Sequence, residues 1–248
     1  MQNDLKINHL LHACWLKSPA PGNFGDILTP FILKHYKYNV KHVHWNNISQ
    51  ADVICVGSIA RIAVPGTVVL GSGILNRKDK LCDRAKWQWV RGPLTRSAVI
   101  ENGGTCPDIY GDPALLLPRI HPTKNLIRHK IGIVPHHVDY ELVKQQFPDA
   151  YVIDLLNADP RQVIDQITSC EKIISSSLHG IITAHAYEIP AAWVKFSNKI
   201  CGDDSKFHDH YFSLGIEARL STVKKPIFQL GKNHSDLIND ILEHRSFL

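Results

Sequence analysis

The sequence predicts an α/β fold of two Rossmann-like, doubly wound parallel-sheet domains. Three observations lead there. Continuous apolar runs ending in glycine, residues 52–57 (DVICVG) and 67–71 (TVVLG), suit parallel strands covered on both faces. In the second half, strand-like and helix-like segments alternate at the spacing of right-handed crossovers. Between the halves, residues 119–128 (RIHPTKNLIR) are polar and carry a proline, which sets the boundary: 1–122 as one domain, 123–248 as the other.

Taken in order, residues 7–15 are the first strand candidate, followed by the breaker-rich loop SPAPGNFGD. The next helix carries Ile27, Leu28, Phe31, Ile32 and His35 on one face, with Thr29 and Pro30 as N-cap and first residue. That leaves Asn23, Gly25 and Asp26 in the loop ahead. Residues 40–45 alternate like a short strand. Residues 87–90 form another, ending at Arg91-Gly92-Pro93, and Pro93 opens a helix stopped by Gly103-Gly104. Asp112-Pro113-Ala114 and a leucine run to Pro118 close the first half.

The second half begins with strand KIGIVP (130–135), a helix over 138–147 and strand AYVIDLL. Helix PRQVIDQITSC follows, with Val163, Ile164, Ile167 and Cys170 at helical spacing. Residues 170–190, CEKIISSSLHGIITAHAYEIP, read as a buried strand, a turn of small residues and a helix from Ile181 to Glu188. Strand AAWVKF, a loop over 196–211 and helix SDLINDILEHR, with Ser235 as N-cap, end the chain.

Composition narrows the function. With 44% apolar and 21% charged residues, the chain is an ordinary globular protein. A net charge of +5, with no run of five basic residues, argues against nucleic acid and suits small acidic substrates. Polar residues interrupt MQNDLKINHLLHACWLK, so no signal peptide is expected, and no 18 apolar residues run together to span a membrane. Six cysteines without a CxxC pair point to a reduced, cytoplasmic protein.

Ligands of open parallel sheets bind beyond the carboxyl ends of the strands. The loops there are GNFGD, GS (57–58), GSG (71–73), VRG (90–92), GDP (111–113), PHHVD (135–139) and SSSLHG (175–180). Strand, small-residue turn and helix at 170–190 aim backbone N–H groups at an anion, and His179 in the turn is a candidate acid–base group or hydrogen-bond donor. Its alternative is a packing role against the next loop. Arg91 ends an apolar strand, so its guanidinium is expected to emerge at the sheet edge and clamp a carboxylate or phosphate; the alternative is a surface arginine paired with a nearby acid. The segment CGDDSKFHDHYFSLG reads as a loop holding Lys206, with enough aromatics to pack on something.

Fifteen histidines invite a metal, but His42-Val43-His44, His136-His137 and His208-Asp209-His210 lack HExxH or cysteine-pair spacing, and no metal is expected. GxGxxG and GxSxG are both missing, which lowers dinucleotide and Ser-hydrolase readings.

Together GNFGD, GSGIL, VRGPLTR, GDPALLLP, IGIVPHHVDY, VIDLL, SSSLHGIITAHAYEIPAAW and DDSKFHDHYFSLG resemble the polysaccharide pyruvyl transferase family, most of all its succinoglycan-type ketalase branch. They run in family order across roughly the whole chain, and the SLHG-to-IP segment is the most specific of them.

The resemblance implies a GT-B-like fold, with the acceptor on the 1–122 side and the donor on the 123–248 side. It also implies transfer of the pyruvyl group of phosphoenolpyruvate onto a sugar as a cyclic ketal, with phosphoenolpyruvate as substrate and no cofactor. Many members read Arg-Leu-His where this chain has Ser177-Leu178-His179, so Lys206 is expected to replace the lost positive charge.

On this reading Arg91, Ser176, Ser177, Leu178, His179, Gly180 and Lys206 bind the donor. Asn23, Asp26, Ser72, His136 and His137 bind the acceptor. His179, Asp26 and Arg91 are catalytic. A lipid-linked acceptor would bring the protein to the inner face of the membrane, and a homo-oligomer stays open. The rivals are a nucleotide-sugar glycosyltransferase of the same architecture, with Asp154 for the ribose, and a noncatalytic carbohydrate-binding relative.

Overall fold

The computed structural model describes residues 10–20, 22–123, 126–233 and 235–244. Strands β1 (Leu10–Cys14), β2 (Asn39–Val43), β3 (Val53–Ile54), β4 (Val68–Leu70) and β5 (Lys86–Trp89) form a parallel sheet in the order β2-β1-β3-β4-β5. Helices α1 (Phe24–His35) and α2 (Pro93–Glu101) flank it; a 3-10 turn, Pro113–Leu116, runs into the short α3 (Leu117–Ile120). The second parallel sheet holds β6 (His129–Val134), β7 (Tyr151–Val152), β8 (Cys170–Ser175), β9 (Ala191–Val194) and β10 (Leu220–Ser221), ordered β10-β9-β8-β6-β7. Its helices are α4 (Tyr140–Gln146), α5 (Pro160–Thr168), α6 (Leu178–Ala186), α7 (Ser205–Ser213) and α8 (Asp236–Glu243).

Counted within each sheet, both strand orders are 2-1-3-4-5. The order reverses between β1 and β3 in one sheet and between β6 and β8 in the other. Such switch points open a crevice at the carboxyl ends of the strands. Apolar sequence supplies the sheets: every residue of β4 and β9 is buried, as strands covered on both faces require.

One apolar core serves both halves. Leu28 and Ile32 of α1, Leu115, Ile167 of α5, Ile181 of α6 and Leu242 of α8 belong to a single buried cluster. A second cluster, including Ile54, Val69, Trp87 and Val99, comes from the first half alone. Helix α8 packs back on that first half: Tyr36 Oη donates to Asn239 Oδ1 at 2.7 Å and Tyr38 Oη to the Leu242 carbonyl at 2.9 Å.

Several boundaries differ from the sequence reading. Residues 7–9 lie outside the described residues, and β1 begins at Leu10. Helix α1 starts at Phe24, so Gly25 and Asp26 lie in its first turn, with Asn23 at the N-cap position. Pro30 is tolerated inside it at the loss of one backbone bond, while Asp26 complements the helix dipole. Thr29 does not cap; its Oγ1 accepts the Val56 N–H at 3.1 Å. Cys170 opens β8 instead of ending α5. Helix α6 starts three residues early, which puts His179 in its first turn. The expected loop over 196–211 ends in helix α7, whose Lys206, Phe207, His210 and Tyr211 recur at helical spacing on a buried face. Ser235 makes no side-chain capping bond. Among the described residues no helix is long and apolar enough to cross a membrane.

Candidate active site

The two switch points meet. The segment after β1 carries Asn23 and Asp26, the segment after β6 carries His136 and His137, and the β8–α6 turn carries Ser176 to Gly180. Their contact is intimate at Gly25, where an added Cβ would fall 2.1 Å from His179 Nδ1. The first turn of α1 thus lies against the imidazole, and only glycine leaves it room.

His179 Nε2 lies 3.5 Å from Asp112 Oδ2, and neither atom makes a hydrogen bond among the described residues. Asp112 is wholly buried. It is held because Oδ1 accepts the Ala114 N–H at 2.9 Å, capping the 3-10 turn that Pro113 opens. The carboxylate therefore faces the Nε2 edge of the imidazole from a fixed position.

The serines build the turn. Ser175 Oγ donates to the Val134 carbonyl at 2.7 Å and accepts the Ser177 N–H at 2.9 Å. Ser176 Oγ accepts the His136 N–H at 2.9 Å, tying the two loops of the second sheet. Ser177 Oγ accepts the Gly180 N–H at 3.4 Å as N-cap of α6. Leu178 belongs to the core. In this position Ser177 serves the helix.

Lys206 is 8% exposed and its Nζ donates to the Cys201 carbonyl at 3.0 Å. Burial, helped by the Arg91 charge, brings its amine down to about 8. Burial also brings His136 down to about 3, reinforced by His137, Lys206 and His179. His137 is lowered by burial against the pull of Asp26, Asp139 and Asp154. Asp26 is raised by burial, opposed by a 3.1 Å hydrogen bond from Asn23 Nδ2 and by the fields of His179 and His137. These mutual influences place Asp26, His136, His137, His179 and Lys206 within one another's electrostatic reach.

Arg91 does not emerge at the sheet edge. It is wholly buried: Nε donates to Asp209 Oδ2 at 3.1 Å, Nη1 to Ser58 Oγ at 2.8 Å and Nη2 to the Ile74 carbonyl at 2.6 Å. Its guanidinium lies on Gly73, where a Cβ would come 2.3 Å from Cζ. Asp209 also takes the Thr95 N–H at 2.9 Å and the Thr95 hydroxyl at 2.6 Å, closing the N-terminus of α2. Arg91 is paired with an acid, as the alternative expected, but the pair is buried and not at the surface. Ser72 is likewise buried, its Oγ donating to the Gly57 carbonyl at 2.8 Å.

The histidine doublets have other partners: His42 contacts the Trp15 carbonyl, His44 accepts the Asn46 N–H, and His210 meets His185 at 3.0 Å. Among the described residues no group of three or more His, Cys, Asp or Glu is placed to hold a metal ion.

The family model for polysaccharide pyruvyl transferase matches residues 15–198. The chain belongs to the polysaccharide pyruvyl transferase family. It is 36% identical over 174 residues to the uncharacterized protein L143 of Acanthamoeba polyphaga mimivirus, covering 65% of this chain and 60% of that one. It is 27% identical over 212 residues to the succinoglycan biosynthesis protein ExoV of Rhizobium meliloti (strain 1021), covering 80% of this chain and 63% of that one. The chain thus spans about three-fifths of the length of these curated relatives. No solved structure matches it.

For this polysaccharide pyruvyl transferase family member, the sequence reading missed Asp112, Asp209 and Gly25 as parts of the site. Asp112-Pro113 carried a legible signal, a cap residue before an N1 proline. Asp209 carried none, because its partner Arg91 lies 118 positions away.

Proposed function

We propose that this protein transfers the pyruvyl group of phosphoenolpyruvate to two hydroxyls of a saccharide, as a cyclic ketal, with release of phosphate. The observation that carries the reading is the His179–Asp112 pair where two parallel-sheet switch points meet, with His179 and buried Lys206 both acting on His136, in a chain of this family. We read the two-sheet arrangement as GT-B-like.

Phosphoenolpyruvate brings a carboxylate and a phosphate. Lys206 and the N-terminal N–H groups of α6 supply charge and donors for them. Its methylene carbon needs a proton, and His179, oriented by Asp112, delivers it. The electron pair of the double bond forms the new C–H bond and leaves an oxocarbenium-like centre at C2. The first acceptor hydroxyl adds there as it loses its proton to Asp26, whose carboxyl is raised by burial. The coupling of Asp26 with His179 allows that proton to return to the imidazole. Arg91 acts as a positioning residue that joins the two halves behind Lys206.

The test is phosphate release from phosphoenolpyruvate with β-galactoside, glucoside and N-acetylhexosaminide acceptors, with products followed by mass spectrometry. Phosphate released in step with a pyruvate-ketal product supports the reading. Absence of both, together with uridine nucleotide binding, would replace it with glycosyl transfer.

A further inference from the structure

A cyclic ketal needs two separate proton deliveries. Two acceptor hydroxyls each lose a proton; one proton ends on the methylene carbon, the other on the oxygen by which phosphate departs. His179 and Asp26 account for the first delivery. Nothing described so far accounts for the second.

We propose that His137 is the second proton-transfer residue, carrying the proton of the second acceptor hydroxyl to the departing phosphate oxygen. This rests on the phosphoenolpyruvate reading above. His137 stands at the carboxyl end of β6, at the switch point of the second sheet, and acts electrostatically on the same Asp26 carboxyl as His179. Its Nδ1 is buried and has no hydrogen-bond partner among the described residues. Two residues on, Asp139 is wholly buried, accepts the Ser197 hydroxyl at Oδ1 and leaves Oδ2 unpartnered. The site therefore contains a second imidazole near a buried carboxylate with one free oxygen: His179 faces Asp112 at 3.5 Å, and His137 lies in the field of Asp139, two residues away.

His136 is unsuited to the task. Its ring lies 4.3 Å from that of His137, but its Nδ1 accepts the Val138 N–H at 3.4 Å and its backbone N–H, held by Ser176 Oγ, fixes the residue in the turn. Burial lowers His137, which favours the neutral imidazole that a proton acceptor needs.

The step balances. The C2–O bond to phosphate breaks and its electron pair stays on the phosphate oxygen. The second hydroxyl oxygen forms the new C2–O bond, and its proton passes through His137 to that phosphate oxygen. The imidazole ends neutral, as it began.

The experiment compares wild type, His137→Gln and His179→Gln with phosphoenolpyruvate and the acceptor panel in deuterated water. Cyclic ketal and phosphate, and the uncyclised acceptor–phosphoenolpyruvate adduct with deuterium at its methyl carbon, are read by mass spectrometry. In His137→Gln, at saturating acceptor, we expect the ratio of adduct to cyclic ketal to rise about 100-fold or more over wild type. In His179→Gln both should fall. Ketal formation by His137→Gln within about threefold of wild type overturns the proposal, as does parallel loss of adduct and ketal in a folded variant. His137→Asn is scored in its place should His137→Gln lose the wild-type melting curve. A wild-type protein that forms neither adduct nor ketal fails the phosphoenolpyruvate reading itself, a different outcome from an active His137→Gln.

Discussion

Arg91 and Asp209 form a wholly buried ion pair, Nε to Oδ2 at 3.1 Å, linking the end of β5 to α7 across the two halves. Asp209 simultaneously closes the N-terminus of α2 through Thr95, so one carboxylate satisfies a guanidinium, a hydroxyl and a backbone N–H. Removing one member of such a pair leaves the other charged and unpaired, at a cost of about 3–5 kcal/mol. Arg91→Met and Asp209→Leu are each expected to lose that much in denaturant unfolding. The double variant should lose less than their sum, and strict additivity would show that the pair is not coupled.

Lys206 gives the site a pH limit. Its pKa is lowered to about 8, so the amine is charged below that value and loses its charge as pH rises through it. If it holds the donor anion, the KM for phosphoenolpyruvate should be flat below pH 8 and climb above it, approaching roughly tenfold per pH unit. Lys206→Ala should raise KM at pH 7 and abolish that climb. Unchanged donor affinity in Lys206→Ala would remove it from the donor site.

Asp112 acts through His179. Asp112→Asn keeps the shape and the cap on Ala114 but loses the negative partner of the imidazole. We expect kcat to drop about 10²–10⁴-fold with KM for phosphoenolpyruvate nearly unchanged. A purely structural role would instead appear as a lower melting temperature with kcat preserved.

Gly25→Ala tests the close approach of α1 to His179. An added Cβ would lie 2.1 Å from Nδ1, so the ring must move. Misplacing a reacting group by about 1 Å costs on the order of 100-fold in rate. The fold should survive, since alanine suits a helix better than glycine by roughly 0.5–1 kcal/mol. Wild-type kcat in this variant would show that the imidazole position does not matter.

Asp26→Asn removes the carboxyl that burial raises and that both imidazoles act upon. Turnover should fall by about 10²–10⁴-fold. Full activity would exclude Asp26 as the base.

By itself the sequence determined the α/β class with two parallel sheets and the strand-end loops that line the candidate site. Covered parallel strands announce themselves as unbroken apolar runs, and the SSSLHG turn, the Asn23–Asp26 segment and His136-His137 all end strands where ligands bind. These are local properties, written in a few adjacent residues. Helix α7 was less legible, because charges and aromatics in SKFHDHY resemble a surface loop until another body covers one face. Only the tertiary structure decided what Arg91 touches. The same residue at a strand end can clamp a ligand or a carboxylate, and the choice fell to Asp209, brought from 118 positions away. It likewise set Asp112 against His179 and Gly25 under the ring, because the two switch points face each other only after both halves bury a common core. Strand and turn patterns act over a few residues, whereas partners across a cleft are chosen by packing, which no local pattern records.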